Sequence, residues 1–163
     1  MKIIFLDIDG VLNCKSTPNP RKLPYIVDYK LLSRFDRVLK DTDAAVVLSS
    51  TWRYDPAGRF SAEHHGISFI DVTPDMPERP RREEILAWLS KKPEVTRYLV
   101  LDDEDDDLDD LPLFQPSSRT GLTDKIAQGM VDYLNGRTHK DMRSNLLVRL
   151  LQNVHSIFKG HEG

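Results

Sequence analysis

The sequence predicts an α/β protein built around a mainly parallel sheet. Three observations carry this. Candidate strands alternate with candidate helices along the chain, as in repeated βαβ units. The strand candidates are continuous apolar runs, which suit strands buried on both faces. The unusual polar residues fall at the C-terminal ends of three of these strands, where an open parallel sheet gathers its ligand.

The first strand is expected over Lys2 to Ile8, and a polar, proline-containing loop follows from Asn13 to about Pro24. Asp28 to Asp41 has helical spacing, with Leu31, Leu32, Phe35, Val38 and Leu39 on one side. Ala44 to Ser49 reads as a second buried strand, and Pro56 to His65 as a helix stopped by Gly66. Ile67 to Val72 is expected as a third strand. Arg81 to Lys92 forms a helix with Ile85, Leu86, Trp88 and Leu89 clustered, ending before Pro93. Arg97 to Leu101 is the fourth strand, and Leu113 with Phe114 a short fifth. Thr123 caps a helix running to about Leu134, followed by Gly136. A last helix is expected over Asp141 to Phe158, with Met142, Leu146, Leu150 and Val154 at helical spacing. No internal repeat is visible. The expected organisation is one domain over residues 1–163, its core spanning about 1–135.

Composition narrows the class. With 39% apolar and 30% charged residues, a globular protein is expected. The net charge of -3 argues against a broad nucleic-acid-binding surface, although Arg79, Arg81 and Arg82 form a local basic cluster. The single cysteine, Cys14, excludes an internal disulfide and fits a reducing compartment. No apolar run approaches the 18 or so residues of a membrane span, so a cytoplasmic protein with no membrane partner is expected. The five histidines show no metal-ligand spacing.

The strand ends carry the chemistry. Strand one ends in Asp7-Ile8-Asp9-Gly10, strand two in Ser49-Ser50-Thr51, and strand four in Asp102-Asp103. Asp7 and Asp9 lie two residues apart, so within a strand they would share a face. Gly10 allows the backbone to turn sharply or approach a ligand closely. Carboxylates gathered in one cleft repel each other and call for a cation, and an all-oxygen site suits Mg²⁺ held together with waters and a substrate phosphate. The bland alternatives stay open. Ser49 and Thr51 are also ordinary turn-capping residues. Eight of the nine residues from Asp102 to Asp110 are acidic, and most of that run suits a solvated loop. Arg81 is as plausible as a surface helix charge.

At these residues the chain resembles the haloacid dehalogenase superfamily of phosphohydrolases. The first motif is matched by Phe5-Leu6-Asp7-Ile8-Asp9-Gly10-Val11-Leu12, the second by Val46-Val47-Leu48-Ser49, and the fourth by Val100-Leu101-Asp102-Asp103. The third, normally a lysine at a helix start, is matched only by Arg81 or Arg82 before Glu83-Glu84-Ile85. Arg81 is preferred. The string Ser49-Ser50-Thr51-Trp52-Arg53 is similar to a subgroup of phosphatase-like domains associated with RNA-repair proteins. The resemblance spans about Met1 to Asn135.

The resemblance implies a Rossmann-like three-layer sandwich with strand order 5-4-1-2-3. It also implies a phosphomonoesterase mechanism. Asp7 would attack phosphorus and form an aspartyl-phosphate. Asp9 would protonate the leaving oxygen and then deprotonate the hydrolytic water. Asp7, the main-chain carbonyl of Asp9, and Asp102 or Asp103 would hold Mg²⁺. Ser49 and Arg81 would grip the phosphoryl oxygens, with Gly10, Ser50 and Thr51 bordering them.

The loop after Asn13 and the segment from Ser49 to Arg81 are too short for a cap domain, so an open, capless site is expected. An open site suits a large or self-covering substrate, such as a nucleotide, a phosphorylated nucleic-acid end or a phosphoprotein. Trp52, Arg53 and the Asn13 to Pro24 loop would then lie on the rim, Trp52 stacking on a base and Arg53 meeting a phosphate, unless Trp52 belongs to the core. The rival functions are a phosphotransferase and a non-catalytic phosphate- or partner-binding module.

Overall fold

The computed structural model describes residues 1–105 and 107–137. The expected helix over Asp141 to Phe158 lies outside them. β1 is Lys2–Leu6, α1 Tyr29–Thr42, β2 Ala45–Leu48, α2 Pro56–His64, β3 Asp71–Val72 and α3 Arg81–Leu89. β4 (Arg97–Leu101), β5 (Leu113–Phe114) and α4 (Asp124–Leu134) complete the described chain. A short 3-10 helix over Thr51–Tyr54, which the sequence reading missed, follows β2.

The five strands form one parallel sheet in the order β3-β2-β1-β4-β5, the predicted order read from the other edge. β1 is central and almost wholly apolar. Its alternate residues divide two cores. Ile4 and Leu6 face a layer containing Phe35 and Val38 of α1 and Met130 and Leu134 of α4. Ile3 and Phe5 face Ile85 and Trp88 of α3, with Trp88 standing edge-on to Phe5 at 5.5 Å. Each fully buried aliphatic or aromatic side chain of β1 is worth about 1.5–3 kcal/mol, so the strand that carries Asp7 is the best anchored in the sheet.

Register then places the polar residues. Leu6 lies opposite Leu48 on one side and Leu101 on the other. Asp7, Ser49 and Asp102, each the next residue, therefore leave the sheet at one level. Their main chains stay tied: Asp7 N–H donates to Leu101 O at 2.9 Å and Ser49 N–H to Leu6 O at 3.0 Å. After β3 the chain crosses to the far side of β1 to make β4, so β1 and β4 flank the topological switch point where such sheets bind ligands.

Some boundaries differ from expectation, for local reasons. β3 is two residues long rather than six. Ile67 packs into the α1 and α4 layer while Ile70 is exposed, so the first half of the apolar run leaves the sheet plane. α3 stops at Leu89, where the chain tightens into shorter turns, Lys91 N–H donating to Trp88 O and Lys92 N–H to Leu89 O. α1 is capped at its start by Asp28, whose carboxylate accepts from the N–H of Lys30, and at its end by Asp43 with φ 55°. Among the described residues no helix is long and apolar enough to cross a membrane.

Candidate active site

The strand ends assemble an acidic cleft of about 280 Å³. Asp7, Asp102 and Asp103 each offer one oxygen, and these oxygens lie within 4.8 Å of one another. Asp7 and Asp102 are buried, and Asp103 is half-buried. Gly10 is required for this packing. Its φ is +72°, and a Cβ there would stand 2.2 Å from the Asp103 carboxylate. Three hard oxygen donors so close together fit a small divalent cation such as Mg²⁺.

Arg81, at the first position of α3, enters the same cleft. Its guanidinium donates to Asp102 Oδ2 and lies 3.5 Å from Asp7 Oδ1. Arg82 points to a different partner, Asp110, at 2.5 Å on the surface. Burial is the largest influence on Asp7 and pushes its carboxyl up to about 7. Arg81 pulls it down, Asp102 and Asp9 push it up, and a hydrogen bond from Ser50 lowers it. Burial also raises the Asp103 carboxyl, helped by the neighbouring Asp102 and Glu104. The cleft thus holds more negative charge than Arg81 balances, as a cation-binding site does.

Asp9 lines the cleft, but its carboxylate lies outside the three-oxygen group. Both oxygens are taken by nitrogen donors: Oδ1 accepts from Asn13 Nδ2 at 2.8 Å, and Oδ2 from Trp52 Nε1 at 2.8 Å. Asn13 also donates to Ile26 O at 2.9 Å and accepts from Gly10 N–H at 3.1 Å, so one amide fixes the whole turn. The rim position expected of the loop from Asn13 does not extend to Asn13 itself, which is buried against Asp9; a polar residue four positions after an aspartate is too common a pattern to mark this contact in the sequence.

The rim assignment of Trp52 and Arg53 is corrected. Trp52 is 2% exposed and packs edge-on to Tyr25 at 4.9 Å, so its ring faces are not available to a base. Arg53 is 3% exposed. It donates to the carbonyls of Ser49 and Ser50 and forms a buried ion pair with Glu84 of α3. Glu84 also accepts from Tyr54 Oη at 2.9 Å and from Met76 N–H at 3.2 Å. A charge this deeply buried needs a partner, and Glu84 was unidentifiable from sequence because it lies 31 residues away.

The hydroxyl residues divide. Thr51 is exposed on the cleft wall. Ser50 caps the 3-10 helix, accepting from Trp52 N–H, and hydrogen-bonds Asp7. Ser49 is fully buried, and its Oγ has no hydrogen-bond partner among the described residues.

A parallel α/β sheet with paired carboxylates at its switch point, a hydroxyl residue after β2 and a guanidinium at the start of α3 defines a HAD-like domain. The chain belongs to the HAD domain found in Swiss Army Knife RNA repair proteins, whose family model matches residues 3–127. That places it in a superfamily of hydrolases and phosphatases. Comparison with curated proteins and with solved structures gives no match.

Proposed function

We propose that the chain is a Mg²⁺-dependent phosphomonoesterase that works through an aspartyl-phosphate on Asp7 and acts on phosphorylated nucleic-acid ends. The observation that carries the proposal is the Asp7, Asp102 and Asp103 group, three oxygens within 4.8 Å at the sheet's switch point, with Arg81 beside it. When bound there, Mg²⁺ neutralises phosphoryl charge and aligns the ester.

The chain's own residues divide the remaining work. Ionised Asp7 attacks phosphorus, a P–O bond to its carboxylate forms, and the bond to the leaving oxygen breaks. Asp9 in its protonated form gives its proton to that oxygen. It then takes a proton from the water that attacks the aspartyl-phosphate, releasing inorganic phosphate and regenerating Asp7. Trp52 and Asn13 hold the Asp9 carboxylate in one orientation for both transfers. Arg81 meets phosphoryl oxygens, where charge is greatest. The Ser49 hydroxyl, without a partner among the described residues, supports a similar role, since a buried hydroxyl left unpaired costs about 1–3 kcal/mol and a phosphoryl oxygen would satisfy it. Thr51 borders the phosphate from the exposed wall. The RNA-repair association of the family supports a nucleic-acid substrate.

The test is hydrolysis of an aryl phosphate with and without Mg²⁺, comparing wild type with Asp7→Asn. Metal-dependent turnover that falls roughly a thousandfold or more in the variant supports the nucleophile. Turnover that survives the substitution refutes it. Absence of turnover in both, on aryl phosphate and on phosphorylated oligonucleotides alike, would favour a phosphate-binding module.

A further inference from the structure

A second cleft, wider than the acidic one, lies beside it. It has a volume of about 820 Å³ and lies along the outer side of α3, between that helix, the end of β3 and α2. It is large enough for several linked small groups. It also adjoins the catalytic cleft through shared walls. Arg79 lines both this cleft and a smaller one, and Arg81 lines both that smaller one and the acidic site.

Its chemistry is mixed in a specific way. Arg59, Arg79 and Lys91 reach it from three separate elements, and all three are exposed. Arg79 shares its charge with Glu83 at 3.3 Å, a largely exposed pair. Tyr54 contributes a ring that is 46% exposed, with Arg53 packed 4.1 Å from its centroid. Asp71, Asp75, Glu78 and Glu84 also line the cleft, Glu84 paired with Arg53. Cations for backbone phosphates, an aromatic face for stacking and carboxylates to accept from base amino groups are the set that meets unpaired nucleotides. A ligand with nothing but anionic groups would be repelled by these acids. A duplex would present neither its base faces nor its pairing edges to a groove of this kind.

We infer that the cleft beside α3 binds the single-stranded polynucleotide whose terminal phosphate enters the acidic site. This rests on the phosphomonoesterase reading above and specifies where the substrate chain lies. A ligand that fills both clefts must extend past its terminal nucleotide, so affinity should grow with length beyond a mononucleotide.

The experiment uses the full chain and RNA octamers phosphorylated at the 3′ or the 5′ end, with an aryl phosphate and a mononucleotide as short controls. The variant is Arg59→Glu with Lys91→Glu. The expected result is an octamer KM about tenfold higher in the variant, with aryl phosphate turnover retained. The slope of log KM against log salt should fall by roughly 1–2, because two phosphate contacts are lost. Equal octamer KM in wild type and variant overturns the inference while leaving the phosphatase reading intact. So does a wild-type KM that does not improve from mononucleotide to octamer. If no substrate is turned over, titration of a labelled octamer still decides. Saturable binding that the variant weakens supports the cleft, and no binding refutes it.

Discussion

Asp7 sits where burial opposes ionisation. Its carboxyl is raised to about 7, first by burial, against an ordinary value of 3.8. Between those values the native chain holds a proton that the unfolded chain has lost. Metal-free stability therefore falls as pH rises through that window. Thermal melts of metal-free protein from pH 5 to pH 8 should show a declining Tm. Asp7→Asn should flatten that decline and melt higher than wild type at pH 8; a variant with the same slope would show that Asp7 is not the group responsible. Asp9 presents the complementary case, an exposed carboxylate immobilised by two donors. Trp52→Phe keeps the ring and deletes the N–H that reaches Asp9 Oδ2. The expected outcome is a kcat about tenfold lower with KM little changed and an altered kcat–pH profile, consistent with the usual worth of positioned proton transfer. A change in KM alone would assign Trp52 to substrate contact instead.

At the scale of elements, the buried Arg53–Glu84 pair joins the turn after β2 to α3. One end holds the carbonyls of Ser49 and Ser50; the other lies one helical turn from Arg81, on the same helix. The pair therefore sets the position of the guanidinium relative to the hydroxyls. Glu84→Gln leaves the buried guanidinium without its counter-charge and should destabilise the fold by about 3–5 kcal/mol. The double change Arg53→Met with Glu84→Met should recover much of that loss in denaturant melts. It should not restore activity, because the tie between α3 and the β2 turn is gone. Recovery of both would reduce the pair to a packing role. The acidic loop after β4 is anchored differently. Leu108, the one apolar residue in its acidic run, is fully buried against the α3 layer.

For the molecule as a whole, a cation held by the clustered carboxylates would couple its binding to folding. Mg²⁺ at about a hundred times its Kd should stabilise the chain by about 2.7 kcal/mol. Chelation should lower Tm, and Asp103→Asn should abolish the Mg²⁺-dependent shift; a shift that persists would move the metal site elsewhere. The sheet that supports this site was readable from the chain because its strands are uninterrupted apolar runs, and β4 and β5 were predicted to the residue. β3 was not, since whether Ile67 joins a strand or a helix-facing core depends on neighbours that propensity cannot see. Asp7, Asp9, Asp102 and Asp103 were legible because each follows a buried strand, and in a parallel sheet strand ends converge. The sequence by itself determined the fold class, the strand order through its family motifs, and which carboxylates share the cleft. Only the tertiary structure decided that Trp52 and Arg53 face inward, that Asn13 and Glu84 are their working counterparts, and that a cleft wider than the acidic one lies beside α3. The physical reason is that hydrogen-bond partners and cavity walls come from residues distant along the chain, whose meeting is set by packing rather than by local pattern.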